Sequence, residues 1–348
     1  MSQNYMRYCQ LIVAGQSEAI DLSAMRIRFS IHHATNAIPK WIEARVYNLS
    51  KQTAEKVKGM AELGFIQLDA GYIGNHGVIF QGNIKYVNLG RESPTDTYCD
   101  IFAGDGDVAF NFATVSKTFA AGSTPQDHYN EILNQYGKFG VTKGLTSFVD
   151  LSQPKYPRAV TLQGMATHAL NTLASSKNAL AYVDMGKLHI VDKGHSPQVS
   201  ATVLNSATGL IGMPQETVNG IIVTALIGPQ FSINTRLQID QKDINPSDPV
   251  WGTGGDYSFI EADFQQRIAA LDTADGIYRV LAIDWEGDTR GVPWYVTMIT
   301  IGEKGDQNYI LKSTGIKDPA LAEGPANSTP SIPPGSSPGQ GSPAKFSY

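Results

Sequence analysis

The run Gly276–Ile301, GIYRVLAIDWEGDTRGVPWYVTMITI, constrains the fold more than any other part of the chain. Two strand-like stretches flank a turn rich in Gly and Asp, with Trp294 and Tyr295 entering the second stretch. Upstream, Gly209–Asp240 keeps the same grammar: short apolar runs cut by Gly and Pro. A chain whose last third is written this way folds there as paired short strands. None of these residues makes a catalytic set.

The rest of the chain alternates between two styles. The N-terminal third reads as β, with strands expected at Tyr8–Ala14, Met25–Ile31, Ile42–Leu49, Phe65–Ala70, Val78–Val87 and Thr97–Ala103. Ser50 is positioned to cap a short helix over Lys51–Glu62, whose Ala54, Val57 and Ala61 share a face. Asn75-His76-Gly77 is read as the tight turn into Val78–Val87. From about 120 to 195 the pattern becomes α+β. Thr124-Pro125-Gln126-Asp127 carries a hydroxyl cap, a proline at the first helical position and an acid at the positive dipole end. Tyr129, Ile132, Leu133 and Tyr136 follow at helical spacing. A second helix is expected over Met165–Ala174. A hairpin then turns at Asp184-Met185-Gly186. Val218–Leu226 and Thr235–Ile239 return to strands, while Phe259–Leu271 fits strand and helix templates equally. The 34 glycines and 18 prolines agree with many turns.

At 348 residues the chain is long for one core, and two or three domains are expected. A net charge of −5 with pI near 5.8 gives no electrostatic footprint for tight phosphate binding. Cys9 and Cys99 match no metal-ligand spacing and read as reduced core thiols. No apolar run reaches membrane-spanning length, and MSQNYMRYCQ lacks a signal peptide's basic-then-apolar pattern, so a soluble chain made in the cytosol is expected.

Chemistry-bearing patterns are each better explained by folding. His32-His33 would point to opposite faces of a strand and could not easily share an ion. His76, His128, His168, His189 and His195 are scattered. Gly104-Asp105-Gly106-Asp107 lacks the alternating ligands of a calcium loop and reads as a solvated turn. Asp240–Asp248 reads as another turn. No nucleophile elbow or phosphate loop occurs, and Gly252-Thr253-Gly254-Gly255 does not follow a clean strand-to-helix junction. Asp284/Glu286 and Asp105/Asp107 are acid pairs of the kind a glycosidase needs, but such pairs are common on solvated loops. Trp285, Trp294 and Tyr295 suit packing in a small barrel or subunit contact more than a sugar surface. No catalytic, cofactor-binding or metal-ligating residue is expected, and no cofactor.

Several segments, taken in order, resemble the baseplate hub family of contractile-tailed bacteriophages, which is also similar to the hub half of type VI secretion spike proteins. They are IFQGNIKYV at Ile79–Val87 with DTYCDIFAGDGD at Asp96–Asp107, and FAAGSTPQDHYNEIL at Phe119–Leu133. The helix-plus-hairpin Leu162–Ile190 follows, then GLIGMPQETVNGI at Gly209–Ile221 and DGIYRVLAIDWEGDTRGVPWYV at Asp275–Val296. The likeness covers about residues 5–302.

The resemblance implies a mainly β protein with an α+β part: a tube-like β-barrel domain over 1–118, an α+β middle module over 119–198 and a second tube-like barrel over 199–312. A flexible Pro/Gly/Ser-rich tail over 313–348 completes the expected layout. It further implies a non-enzymatic structural hub in the virion baseplate, synthesised in the host bacterial cytoplasm. A homotrimeric ring would match a sixfold tail tube to a threefold central spike and line the DNA channel. Expected partners are the tube or tube-initiator proteins, the central spike, wedge or tape-measure proteins and passively translocating DNA, with no membrane-spanning segment. The same β-rich grammar would serve a peripheral carbohydrate- or receptor-binding tail protein; a peptidoglycan hydrolase would need a catalytic set that the sequence lacks.

Overall fold

The computed structural model describes residues 5–35, 38–60, 64–194, 196, 200–217, 220–239 and 276–302. The expected tail, the Asp240–Asp248 turn, Gly252–Gly255 and the undecided Phe259–Leu271 lie outside the described residues.

The chain opens with β1 (Tyr5–Ala14), β2 (Ala19–Asp21), β3 (Ile27–Ala34) and β4 (Trp41–Tyr47). Helix α1 (Lys51–Gly59) follows, then β5 (Phe65–Ile73), β6 (Asn75–Arg91) and β7 (Thr97–Gly104). Ser50 caps α1 as expected, its Oγ accepting from the Thr53 amide at 3.1 Å. Along β3 burial alternates residue by residue, because successive side chains leave the pleat on opposite faces.

The α+β part contains α2 (Asp107–Phe112), β8 (Thr114–Phe119), α3 (Pro125–Gly137), β9 (Thr142–Ser147), β10 (Val160–Met165), α4 (Ala166–Ser176), β11 (Ala179–Asp184) and β12 (Lys187–Asp192). At the start of α3, Thr124 and Asp127 satisfy each other's backbone amides at 2.8 and 3.3 Å, a complete capping box. β8 straddles the expected boundary at 118 and pairs with β10.

The last β region holds β13 (Thr202–Val203), β14 (Leu210–Thr217), β15 (Gly220–Leu226), β16 (Arg236–Gln238), β17 (Ile277–Asp288) and β18 (Trp294–Gly302). Among the described residues, the strands of the first and last regions belong to one 13-stranded sheet, running β14-β15-β18-β17-β3-β4-β7-β6-β5-β1-β2. The two regions meet where β17 pairs antiparallel with β3, from Ala282↔Ala34 to Asp288↔Arg28. The N-terminal end of β17 pairs instead with β16.

One apolar cluster runs beneath both regions, with Leu11, Ile31, Ile42, Phe80 and Ile101 from the first and Val223, Val280, Ile283, Trp285 and Val296 from the last. The middle part has its own cluster around Tyr129, Ile132, Tyr136, Leu170, Leu173, Leu188 and Ile190. Side chains of this size contribute roughly 1.5–3 kcal/mol each on full burial.

Two local expectations need correction. The turn between β5 and β6 lies at Ile73-Gly74, not Asn75–Gly77: Gly74 takes φ +90°, which glycine tolerates, and Asn75 already pairs with Tyr72. Gly104–Asp107 is not a solvated turn, because the middle module covers it and leaves Asp105 only 2% exposed. The segment after it forms the short helix α2.

Candidate functional site

The strand period decides what the sheet shows outward around the β17–β3 seam. Register sets the side chains in rows. Asp284, His32 and Trp41 form one row across β17, β3 and β4. Glu286, Ser30, Glu43, Phe102 and Tyr86 form the next, extended by β7 and β6. Asp288, Arg28, Arg45 and Asp100 form a third.

Opposite charges neutralise one another along these rows. His32 Nδ1 lies 2.7 Å from Asp284, its other ring nitrogen 2.8 Å from Ser30 Oγ, and the ring stacks on Trp41 at 4.3 Å. Arg45 grips Asp100 with two bonds of 2.7 and 2.9 Å and lies over Tyr98. Its hydrogen bonds to the carboxylate raise the guanidinium above its ordinary value. Arg26, from the turn before β3, forks onto Asp288 at 3.2 and 2.7 Å. Burial pushes the Asp288 carboxyl up, but Arg26 and the amides of Arg290 and Gly291 outweigh it and hold the carboxyl below its usual range. Tyr295 donates to Glu286 at 2.8 Å. A shallow depression of about 300 Å³ on this face is lined by Arg28, Ser30, Glu43, Arg45 and Glu286. With both signs interleaved, it has no pole to select an anion or a cation.

Beneath the seam the aromatics interlock. Trp285 and Trp294 are buried; Trp294 meets Phe29 edge-on at 5.6 Å and donates to the Gly71 carbonyl at 3.2 Å. Gly287 faces the Phe29 ring, and a Cβ there would overlap it. Arg7 of β1 donates to the carbonyls of Asp288, Gly291 and Val292, tying the far side of the first region to the β17–β18 turn.

The residues weighed from sequence lie in different settings. His32 faces outward, and His33 is buried on the other side of the strand. Asp284 and Glu286 share the outer face but are engaged by His32 and Tyr295. Cys9 and Cys99 are free thiols, and burial pushes both up to about 12, far from a reactive thiolate. Among the described residues no group of three or more His, Cys, Asp or Glu is placed to hold a metal ion. No helix among them is long and apolar enough to cross a membrane. Sequence reasoning missed Arg26, Arg45 and Asp100. Only the alternating charge of RIRFS and EARVY hinted at them, and Arg26 meets Asp288 across 262 positions.

The family model described as Baseplate hub gp41 matches residues 10–265. In fold the chain is similar to the 43 kDa tail protein of prophage MuSo2 from Shewanella oneidensis, at 8% identity and a TM-score of 0.54, over 87% of this chain and 98% of that one. The tail protein from Neisseria meningitidis MC58 aligns at 9% identity and a TM-score of 0.50, over 84% and 96%. The E. coli c3393 protein is described as a component of the type VI secretion system with structural similarity to T4 bacteriophage tail proteins gp27 and gp5. It aligns at 9% identity and a TM-score of 0.50, over 85% and 78%. At such identities the likeness speaks for the fold. No curated protein matches the chain in sequence.

Proposed function

The chain belongs to the baseplate hub gp41 family, and from that membership we propose that three copies close into a ring at the axis of a phage baseplate. The ring adapts a sixfold tail tube to a threefold central spike, because each chain brings two β regions and three chains bring six. The tube or its initiator docks on one side and the spike on the other, with wedge or tape-measure proteins as further neighbours. The chain's place is the virion tail baseplate and its role is structural, without catalysis.

The observation that carries this reading is the sheet continuous from the last β region into the first across β17 and β3. A unit joined edge to edge within the chain is suited to being joined the same way around a ring, which also removes exposed edges. The outer face with its paired charges lines the channel. Arg26 and Arg45 are already spent on Asp288 and Asp100, which weakens their pull on a passing phosphate backbone.

Reconstruction of the assembled particle tests the proposal. Three copies around the axis, with β3 and β17 facing the channel, are expected. Six or twelve copies, or copies at the periphery, would overturn it in favour of a tube or receptor-binding protein.

A further inference from the structure

The middle module meets the sheet on a buried, charged seat, beside the apolar contacts that Tyr182 and Val191 make with the sheet's cluster. The turn between β11 and β12 is tight, with Met185 and Gly186 both at positive φ. It rests on the ends of β4 and β7. There Trp41 pairs with Gly104, so Lys40 and Asp105 stand side by side, and the Asp105 amide donates to the Lys40 carbonyl at 2.8 Å. The Gly186 amide donates to Asp105 Oδ1 at 3.0 Å. Lys40 Nζ reaches Asp184 Oδ1 at 3.1 Å and lies over the Trp285 ring, 4.9 Å from its centre. From β3, His33 stands 3.9 Å from the same Asp184 oxygen. Tyr182 packs edge-on against His33 and accepts a hydrogen bond from Asn234 at 3.2 Å. All three parts of the chain meet here.

The charges on this seat do not balance if every group takes its ordinary state at neutral pH. Two carboxyls, Asp105 and Asp184, face one ammonium. Asp105 Oδ2 has no donor among the described residues, and neither ring nitrogen of the buried His33 has a hydrogen-bond partner there. A buried carboxyl beside a second carboxylate favours its protonated form, and a buried imidazole without an acceptor favours its neutral form. We propose that the seat is a proton-balanced clamp: neutral Asp105 and neutral His33 hold the hairpin to the sheet, and their opposite proton linkages offset each other.

The surroundings support these states. Asp105 is faced by Asp184 on β11, Lys40 ahead of β4 and the turn amides of Gly186 and Met185, while His33 on β3 is faced by Asp184, Lys40 and His189. His189 and Lys187 on β12 and the Lys85–Asp107 ion pair from β6 and α2 complete the set. Burial, then Asp184, pushes Asp105 up to about 7 against Lys40 and the turn amides. Burial takes His33 down to about 3, with Asp184 opposing. Burial also pushes Asp184 upward, but the Lys40 ammonium and its hydrogen bond outweigh it and hold the carboxyl below its usual range. The seated hairpin therefore keeps a proton on Asp105 that an unseated one has released, and seating weakens as pH climbs from 3.8 to about 7. His33 works the other way: seating strengthens as pH climbs from about 3 to 6.5. Across the shared window the two trends oppose each other, and His189, which burial also lowers, adds to the His33 side.

Hydrogen exchange over Ala179–Asp192 in the full chain tests the clamp, with protection corrected for intrinsic rates at steps from about pH 4 to about pH 7. The wild-type profile should lie between those of the two single variants, with His189 tilting it and the double variant the same way. Relative to wild type, Asp105→Asn should gain protection as pH rises and His33→Asn should lose it, by up to about tenfold per pH unit. Single variants with parallel slopes, or with level profiles, would overturn the proposal. Should a variant fail to fold, NMR titration of the wild-type side chains decides. Asp105 near 7 and His33 neutral down to about 3 support the clamp, and ordinary values of 3.8 and 6.5 would overturn it.

Discussion

The chain joins its parts in two physically different ways. At the β17–β3 seam a main-chain ladder of seven residue pairs lies over an apolar layer containing Ile31, Ile283 and Trp285. At the module's seat the polar contact is made by Lys40, Asp184, Asp105 and His33, with Tyr182 and Val191 adding apolar contact beside it. Ladder bonds and apolar burial do not titrate, so the seam should hold over a wide pH range. The seat places charges out of water, and its strength depends on their protonation. A joint between units of one sheet and a joint for a separate module are thus governed by different variables.

The sharpest way to break that contrast is to remove the cation of the seat. Lys40→Met leaves Asp184, whose side chain is 15% exposed, without its ammonium, a change that costs up to roughly 3 kcal/mol in such settings. Urea unfolding should register the loss. Hydrogen exchange should place it mainly in β11 and β12, with the amides of β3 and β17 retaining most of their protection. Equal loss at the seam would mean that the two joints are one cooperative unit and the contrast is void.

The converse variant attacks the seam. Ile31 is fully buried beneath β3, and Ile31→Ala should cost roughly 2–4 kcal/mol, measured by denaturant titration. Because nothing at that position titrates, the cost should be the same at about pH 5 and at about pH 8. A clear pH dependence would tie the seam to the seat electrostatically.

What could be read from sequence divides along the same line. α3 was legible because its signals are local: Thr124, Pro125 and Asp127 specify the start, and Tyr129, Ile132 and Tyr136 specify the buried face. The hairpin at Asp184-Met185-Gly186 was legible for the same reason. The β5–β6 turn lies two residues before the expected one, since Asn75-His76-Gly77 has good turn chemistry but Gly74 supplies the positive φ at the bend. Neither joint could be read. β3 and β17 carry ordinary alternation, and nothing in MRIRFSI names IDWEGD as its neighbour some 250 positions on (His32 to Asp284 spans 252). Asp105 looked solvated because its own loop is Gly-Asp-Gly-Asp. Its burial comes from a hairpin about 80 residues later, the Gly186 contact spanning 81. The outer face was half legible: alternation gave the acids and bases, but not which acid each base would meet.

A milder variant probes the charged outer surface of the seam, where the contrast predicts a small titrating contribution. Arg26→Met leaves Asp288, whose side chain is 5% exposed, with only the amides of Arg290 and Gly291. Because Arg26 is itself 41% exposed, solvent screens the pair and the loss should be about 1–2 kcal/mol. Asp288 is held below its ordinary value of 3.8, so its contribution is present above that pH and is lost as pH falls through its folded value. Wild type and variant should therefore converge in acid, as melting curves across pH would reveal. A gap that widens in acid would mean that Asp288 is stabilised in its protonated form.

The smallest effect tests whether the module is an independent unit at all. Thr124→Ala removes the Oγ that accepts from the Asp127 amide and breaks the reciprocal box at the start of α3. Loss of such a cap costs about 1 kcal/mol. The α3 core residues Tyr129, Ile132 and Tyr136 belong to the module's own apolar cluster, so the loss should fall first on that cluster. If the seat couples module to sheet weakly, calorimetry should show one transition shifted down and another unmoved. Hydrogen exchange in β3 and β17 should stay at wild-type levels. If the seat couples them strongly, a single transition should shift by a few degrees with all protection falling together. The first pattern supports two joints of different strength. The second would make the clamp strong enough to fuse module and sheet into one cooperative body, so that the difference between the joints would lie in their pH response alone.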